Sequence, residues 1–315
     1  MAVMDNTVNP MERPVRTGVS GPRRSLGVVG TGVMGSPLAL RALDCGLAVS
    51  VRDIVPQATA AVAAAGARVC DSPAELGRQC DLVVILVVDA IQVEEVIFGT
   101  DGLVRGLARG GTVAVSSTIS PAYAEALAPR LEAVGLQHLD APVSGGPSRA
   151  RDGTLSMMAA GSDATFEAAR PRLECLAGRL FRAGARAGDG ARAKILNNLL
   201  AGVHLAAASE ALALGERMGL DPNALMAIMR ASSGDSWMLA DRMPRILGGD
   251  HTVRAALDIL RKDLGIVVDA ALPGGRPVPL AQAARGVFDA ASAAGFGAAD
   301  DAALLDWYRG AAPPA

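Results

Sequence analysis

A short apolar run, Leu26–Val29, leads directly into Gly30-Thr31-Gly32-Val33-Met34-Gly35, and a helical pattern to Cys45 and a second β-run, Ala48–Val51, follow. Few folds accept that order of strand, glycine-rich turn, helix and strand. The first glycine permits a tight turn, the second lets backbone amides approach a pyrophosphate, and the third allows close packing of helix on strand. Asp53 stands 18 residues after Gly35, at the end of the second run. A carboxylate there accepts from the hydroxyls of an adenosine ribose and repels a 2′-phosphate. The expected ligand is therefore NAD rather than NADP, held by Gly30, Thr31, Gly32, Val33, Met34, Gly35 and Asp53. Arg52 is a guanidinium able to grip a phosphate, but neighbours in an extended strand end point to opposite sides. Gly-x-Gly-x-x-Gly alone is a weak signal, and the strand–helix–strand context is what gives it weight. By themselves these features also suit a non-catalytic nucleotide-binding module.

The alternation of β-branched runs and helical stretches continues through Leu82–Val88 and Thr112–Ser116. The seven apolar residues from Leu82 to Val88 suit a parallel strand buried on both faces. This implies an α/β Rossmann domain with a doubly wound, mostly parallel sheet. Beyond residue 190 the β-runs stop, and a long Ala/Leu stretch, Ala191–Met218, opens an all-α domain. Residues 25–188 are thus expected to form the dinucleotide-binding domain and 189–315 the substrate and dimerisation domain. A length of 315 residues suits two domains. Residues 1–24 hold Pro, Arg, Ser and Gly without an apolar core, so they read as a disordered tail and not as a signal peptide, which implies a cytoplasmic protein. No apolar stretch of transmembrane length free of charges or breakers is expected.

Net charge is −2 and arginines are spread along the chain, which argues against a nucleic-acid or membrane partner and for a small molecule. Cys45, Cys70, Cys80 and Cys175 have no C-x-x-C spacing and read as reduced structural thiols. His138, His204 and His251 are far apart, so no catalytic metal is expected.

The 30 basic residues comprise 28 arginines and two lysines, Lys194 and Lys262. A chain that uses Arg so consistently for charge keeps Lys where Arg cannot serve, and only lysine releases its proton when desolvated. Lys194 is followed by Asn197 and Asn198, three and four residues on, so one ammonium and two amides share a helix face. Asn is a poor helix former, which suggests that this pair is present for its hydrogen bonds. Gly188 and Gly190, just before, permit close approach of a backbone or ligand. A second constellation, Asp140-Ala141-Pro142-Val143-Ser144-Gly145-Gly146, offers the successive amides of Ser144, Gly145 and Gly146 as an anion-binding concavity suited to a carboxylate.

With these four motifs in order, Gly30–Gly35, Asp140–Gly146, Gly188-x-Gly190-x-x-x-Lys194-x-x-Asn197-Asn198 and Lys262-Asp263-Leu264, the chain resembles the β-hydroxyacid dehydrogenase family. The resemblance implies hydride transfer between NAD and the hydroxyl-bearing carbon of a small hydroxy acid, in a cleft between the two domains of a homodimer or homotetramer. It implies Lys194 as the catalytic lysine, Asn197 and Asn198 as substrate-binding amides, and Ser144, Gly145 and Gly146 as the carboxylate cradle. Val88, Thr118 and Lys262 are implied as contacts to the dinucleotide. Imine-reducing enzymes share the scaffold but usually replace that lysine. Leu200-Ala201-Gly202-Val203-His204 and Gly234-Asp235-Ser236-Trp237-Met238 resemble the branch acting on L-threonate, with 3-hydroxyisobutyrate and tartronate semialdehyde as alternative substrates. Asp235 and Ser236 then offer partners for the extra hydroxyls of a sugar acid.

Overall fold

The computed structural model describes residues 25–272, 275 and 277–313, so the segment 1–24 expected as a tail lies outside the described residues. Six strands run parallel: β1 (Ser25–Val29), β2 (Ala48–Arg52), β3 (Arg68–Val69), β4 (Leu82–Ile85), β5 (Thr112–Val115) and β6 (Gln137–Asp140). Between them run α1 (Gly35–Asp44), α2 (Ala60–Ala64), α3 (Pro73–Gln79), α4 (Ala90–Phe98) and α5 (Pro121–Ala133). β7 (Val143–Ser144), α6 (Gly146–Asp152), β8 (Ser156–Ala160), α7 (Asp163–Leu176) and β9 (Arg179–Gly184) extend the sheet. The order is β3-β2-β1-β4-β5-β6-β8-β7, with β9 also on β8; β8 is antiparallel to β6 and β7. The order reverses beside β1, which places a crevice for a ligand at the carboxyl ends of β1 and β4.

The apolar run expected as one strand over Leu82–Val88 forms a strand only to Ile85. Beyond it Leu86 and Val87 bond to Val29 and to the Ser117 hydroxyl, and the chain turns into α4. β4 is wholly buried, as a central parallel strand requires.

The helical half comprises α8 (Asp189–Arg217), α9 (Pro222–Arg230), α10 (Trp237–Leu247), α11 (Leu257–Ala271), α12 (Pro279–Ala291) and α13 (Leu304–Tyr308). The later helices pack around α8, burying Leu205, Leu212, Leu264, Phe288 and Leu304 in a second core. By length and composition α8 is apolar enough to cross a membrane, because Ala and Leu fill it, although Asn197, Asn198, Gly202 and Glu210 interrupt it. Half of its apolar stretch is buried within the protein, as suits a central core helix. Its first turn also packs against β6, β8, β9 and α5, and Ala191 belongs to the core beneath β5. The helix that carries Lys194 is therefore rooted in the sheet.

Candidate active site

At the carboxyl end of β1, Gly30 adopts φ +90°, and a Cβ there would lie 2.2 Å from the Leu86 carbonyl oxygen. A Cβ on Gly35 would lie 1.8 Å from the Gly30 oxygen, whereas one on Gly32 would meet nothing within 4 Å. Two glycines are thus required by the protein's own packing, and the third leaves open space against backbone. α1 begins at Met34 with no side-chain cap and no acidic residue in its first turn, while α3, α4, α5, α7, α9 and α10 are capped by Ser or Asp. Its amides remain available to an anion from outside.

Asp53 Oδ2 accepts from the Thr31 amide at 2.7 Å and the Thr31 hydroxyl at 3.4 Å, and Oδ1 accepts from the Val55 amide at 2.9 Å. This carboxylate ties the glycine turn to the end of β2, and Oδ1, which accepts one bond, keeps a lone pair for a ribose hydroxyl. Arg52 makes no hydrogen bond to the Asp53 carboxylate among the described residues. Its guanidinium bends round to donate to the Asp53 carbonyl, an acceptor that its long stem can reach. Val33 and Val88 are exposed apolar side chains in the segments following β1 and β4. Open backbone, free helix amides, a ribose-seeking carboxylate and apolar flanks fit a dinucleotide.

Asp140, at the end of β6, is almost wholly buried, and its Oδ2 accepts from the amides of Gly188 at 2.7 Å and Gly190 at 3.1 Å. A Cβ on Gly190 would lie 2.6 Å from Asp140 Cβ, so only glycine lets α8 start this close to the sheet. Burial pushes the Asp140 carboxyl up to about 6 although those amide bonds oppose the shift. His138 Nε2 lies 3.4 Å from Asp140 Oδ1, and burial lowers its imidazole to about 4, so it is neutral at neutral pH. Asp140 was legible only as part of its motif, and its anchoring role is a long-range pairing.

Lys194 is buried on α8, two residues before it would reach the exposed Leu196. Burial lowers the pKa of its ammonium; the charge of Asp263 opposes this and that of Lys262 adds to it. Asn197 Nδ2 donates to Ser144 Oγ at 3.5 Å and to Asn198 Oδ1 at 3.2 Å. Asn198 Nδ2 donates to Asp263 Oδ2 at 2.6 Å. Although the shared helix face brings these amides near Lys194, no hydrogen bond joins either to it among the described residues; an ammonium would need their oxygens, and Asn198 Oδ1 is taken by Asn197 Nδ2. Asp263 is the hub that residue-by-residue reading missed. Its Oδ1 accepts from Lys262 Nζ at 2.6 Å, and Lys262 also donates to the Thr118 carbonyl oxygen at 3.1 Å. The signal for it was an acidic residue set within an apolar helical stretch, beside the second scarce lysine.

Ser144, Gly145 and Gly146 lie where β7 turns into α6, with φ of +137° at Gly145 and +77° at Gly146. The fold thus joins Ser144, Asn197, Asn198, Asp263, Lys262 and Thr118 through hydrogen bonds that cross between the halves. The Ser236 hydroxyl accepts from the Leu239 amide at 3.1 Å and so caps α10, keeping its own O–H to donate, and the exposed Asp235 lies 4.0 Å from Arg230.

Residues 25–184 match the family model described as the NAD binding domain of 6-phosphogluconate dehydrogenase, and residues 188–308 match that described as NAD-binding of NADP-dependent 3-hydroxyisobutyrate dehydrogenase. An L-threonate dehydrogenase of Cupriavidus necator is 46% identical over 91% of this chain and 97% of its own length. The human mitochondrial 3-hydroxyisobutyrate dehydrogenase is 31% identical over 90% of this chain and 86% of its own. A crystal structure from Salmonella typhimurium, named 3-hydroxyisobutyrate dehydrogenase, superposes with a TM-score of 0.84 at 42% identity, covering 90% of this chain and 99% of that one.

Proposed function

Since the chain belongs to the β-hydroxyacid dehydrogenase family, as an NAD-dependent enzyme acting on the hydroxyl of a small hydroxy acid, we propose that its substrate is L-threonate, oxidised to 2-oxo-tetronate. The observation that carries the substrate is the relatives: those 38–46% identical over nine-tenths of the chain are named L-threonate dehydrogenases. The name of the 42% identical Salmonella structure keeps 3-hydroxyisobutyrate as a second reading.

Residues 25–188 would hold the cofactor through Gly30–Gly35, Asp53, Val88 and Thr118, with Lys262 reaching it from the helical half, and residues 189–315 would complete the substrate site. Bound NAD supplies the acceptor for the hydride that leaves the hydroxyl-bearing carbon. The amides and hydroxyl of Ser144, Gly145 and Gly146 seat the substrate carboxylate, and Asn197 steadies Ser144. Lys194 Nζ, whose charged form burial disfavours, accepts the hydroxyl proton as the free amine, and in reduction the ammonium returns it. Asp263 keeps Asn198 and Lys262 in place and offsets part of that lowering.

The apolar side chains exposed along α8, Leu196, Leu200, Leu214 and Met218, support a homodimer or homotetramer that covers this face. A cytoplasmic setting fits the four free thiols, and a net charge of −2 gives nucleic acid no footprint. The test is NADH absorbance with a panel of hydroxy acids: L-threonate should give the highest kcat/KM, and preference for 3-hydroxyisobutyrate would move the assignment to the second reading.

A further inference from the structure

Arg149 stands in α6, four residues beyond Gly145 of the cradle. Its stem lies along that glycine: a Cβ on Gly145 would be 2.9 Å from Arg149 Cδ and 3.2 Å from its Cβ. Its guanidinium reaches out of the Rossmann half to the opposite wall, where Cζ sits 5.4 Å from the centroid of the Trp237 ring, the first residue of α10. The exposed side chain thereby runs from the cradle glycine on the Rossmann half to an indole on the helical half.

Its donors, however, are unused. Among the described residues no carboxylate or other acceptor pairs with Arg149, whereas Arg242, at the same 5.4 Å from the same indole, is taken by Asp301 and Asp241. An arginine set against an aromatic face and left with five free N–H groups presents a planar fork to oxygen acceptors. The cradle amides already supply a seat for the carboxylate, so the free donors of Arg149 are left for other oxygens of the substrate. A sugar acid brings oxygens beyond its reacting carbon, and each one left unpaired in a closed cleft costs free energy.

We propose that Arg149, shelved on Trp237, determines specificity by hydrogen-bonding the hydroxyls of a polyhydroxy acid beyond the reacting carbon. This rests on the carboxylate seat assigned to Ser144–Gly146. The planar fork can serve vicinal hydroxyls together, a geometry that a lysine ammonium does not reproduce.

The test compares wild type with Arg149→Gln, Arg149→Lys and Trp237→Leu on L-threonate and on 2-hydroxybutanoate, which keeps the carboxylate and reacting hydroxyl but lacks the other two. For the second acid the competitive inhibition constant against L-threonate is read if turnover is slow. Arg149→Gln should lower kcat/KM for L-threonate by about 10- to 100-fold, mostly through KM, as expected for loss of hydrogen bonds from a charged donor. Binding of 2-hydroxybutanoate should change less than about threefold on the same basis. Lys should rescue little, and Trp237→Leu should show the same selectivity in weaker form. Equal losses on both acids would overturn the assignment by moving Arg149 to the carboxylate, and no loss on either would leave it an ordinary surface arginine. NAD titration of each variant reports a folding defect separately. A wild type silent on every sugar acid is the distinct result that sinks the substrate reading itself.

Discussion

Asn198 and Asp263, 65 residues apart on α8 and α11, meet in a 2.6 Å hydrogen bond one turn from Lys194. The carboxylate raises the pKa of Lys194 against the lowering caused by burial. Asp263→Asn keeps the shape and removes the charge, so the Lys194 pKa should fall further. In the oxidation direction, activity appears as pH rises through that pKa. The rising limb of the kcat profile should therefore move to lower pH in the variant. A reduced rate with the limb unmoved would make Asp263 a structural tether only.

Asp140 should produce a second, more acidic limb. Its carboxyl is pushed up to about 6, so it is charged at neutral pH and protonates as pH falls below that value, weakening the bonds to the Gly188 and Gly190 amides that start α8. The facing groups are His138, already neutral there because its pKa is about 4, and Asp189, whose charge adds to the upward shift. An acid whose folded pKa is raised binds its proton more tightly in the fold, so this group adds stability as pH drops from about 6 toward its ordinary 3.8. Activity should thus fall below about 6 without a fall in Tm from this group. Asp140→Asn, which keeps an acceptor for the glycine amides, should flatten that limb; an unchanged limb assigns it to another residue.

The glycine turn, Asp53 and Lys194 are legible in sequence because local signals carry them: a motif between two β-runs, and a lysine in a chain that otherwise uses arginine. Asp140, Asp263 and Arg149 are not, for a common reason. Asp140 reads as part of a loop until Gly188 and Gly190 are brought onto it. Asp263 reads as one acid among many until Asn198 and Lys262 converge on its two oxygens. Arg149 is one of 28 arginines until Trp237 is placed against it. The same limit applies to Asn197 and Asn198: helical spacing puts them near Lys194, but the acceptors for their N–H groups, Ser144 and Asp263, come from other elements.

Asp53→Ser should raise the ratio of kcat/KM for NADP over NAD by about 10-fold or more, since removing a like charge from beside the 2′-phosphate is worth about a pKa unit of interaction energy. The variant also gives up the acceptor for the Thr31 and Val55 amides, so a loss of about 1 kcal/mol per bond should appear in denaturant unfolding. A wild type that already uses both cofactors equally would show that Arg52, held at the Asp53 carbonyl, can turn to a phosphate.

Lys194→Arg should be nearly as inactive as Lys194→Ala. Arginine keeps the positive charge and nearly the length, so it separates an electrostatic role from a proton-transfer role. A group that accepts the hydroxyl proton and later returns it must change protonation state during turnover. Burial lowers the pKa of Lys194 toward the working range, whereas a guanidinium stays protonated there. Loss of a positioned acid–base group typically costs about 10²–10⁴ in rate. The pocket is tight as well, because Lys194 is only 8% exposed and a branched guanidinium must displace its neighbours. Lys194→Met therefore serves as the control for volume: it is unbranched and neutral, and should be as slow as Arg. NAD binding, read by calorimetric titration, should persist in all three variants because the glycine turn and Asp53 lie on β1, α1 and β2. Turnover at saturating NAD decides the matter: activity in the Arg variant within about tenfold of wild type would show that charge suffices, and the proton would then have to leave through water.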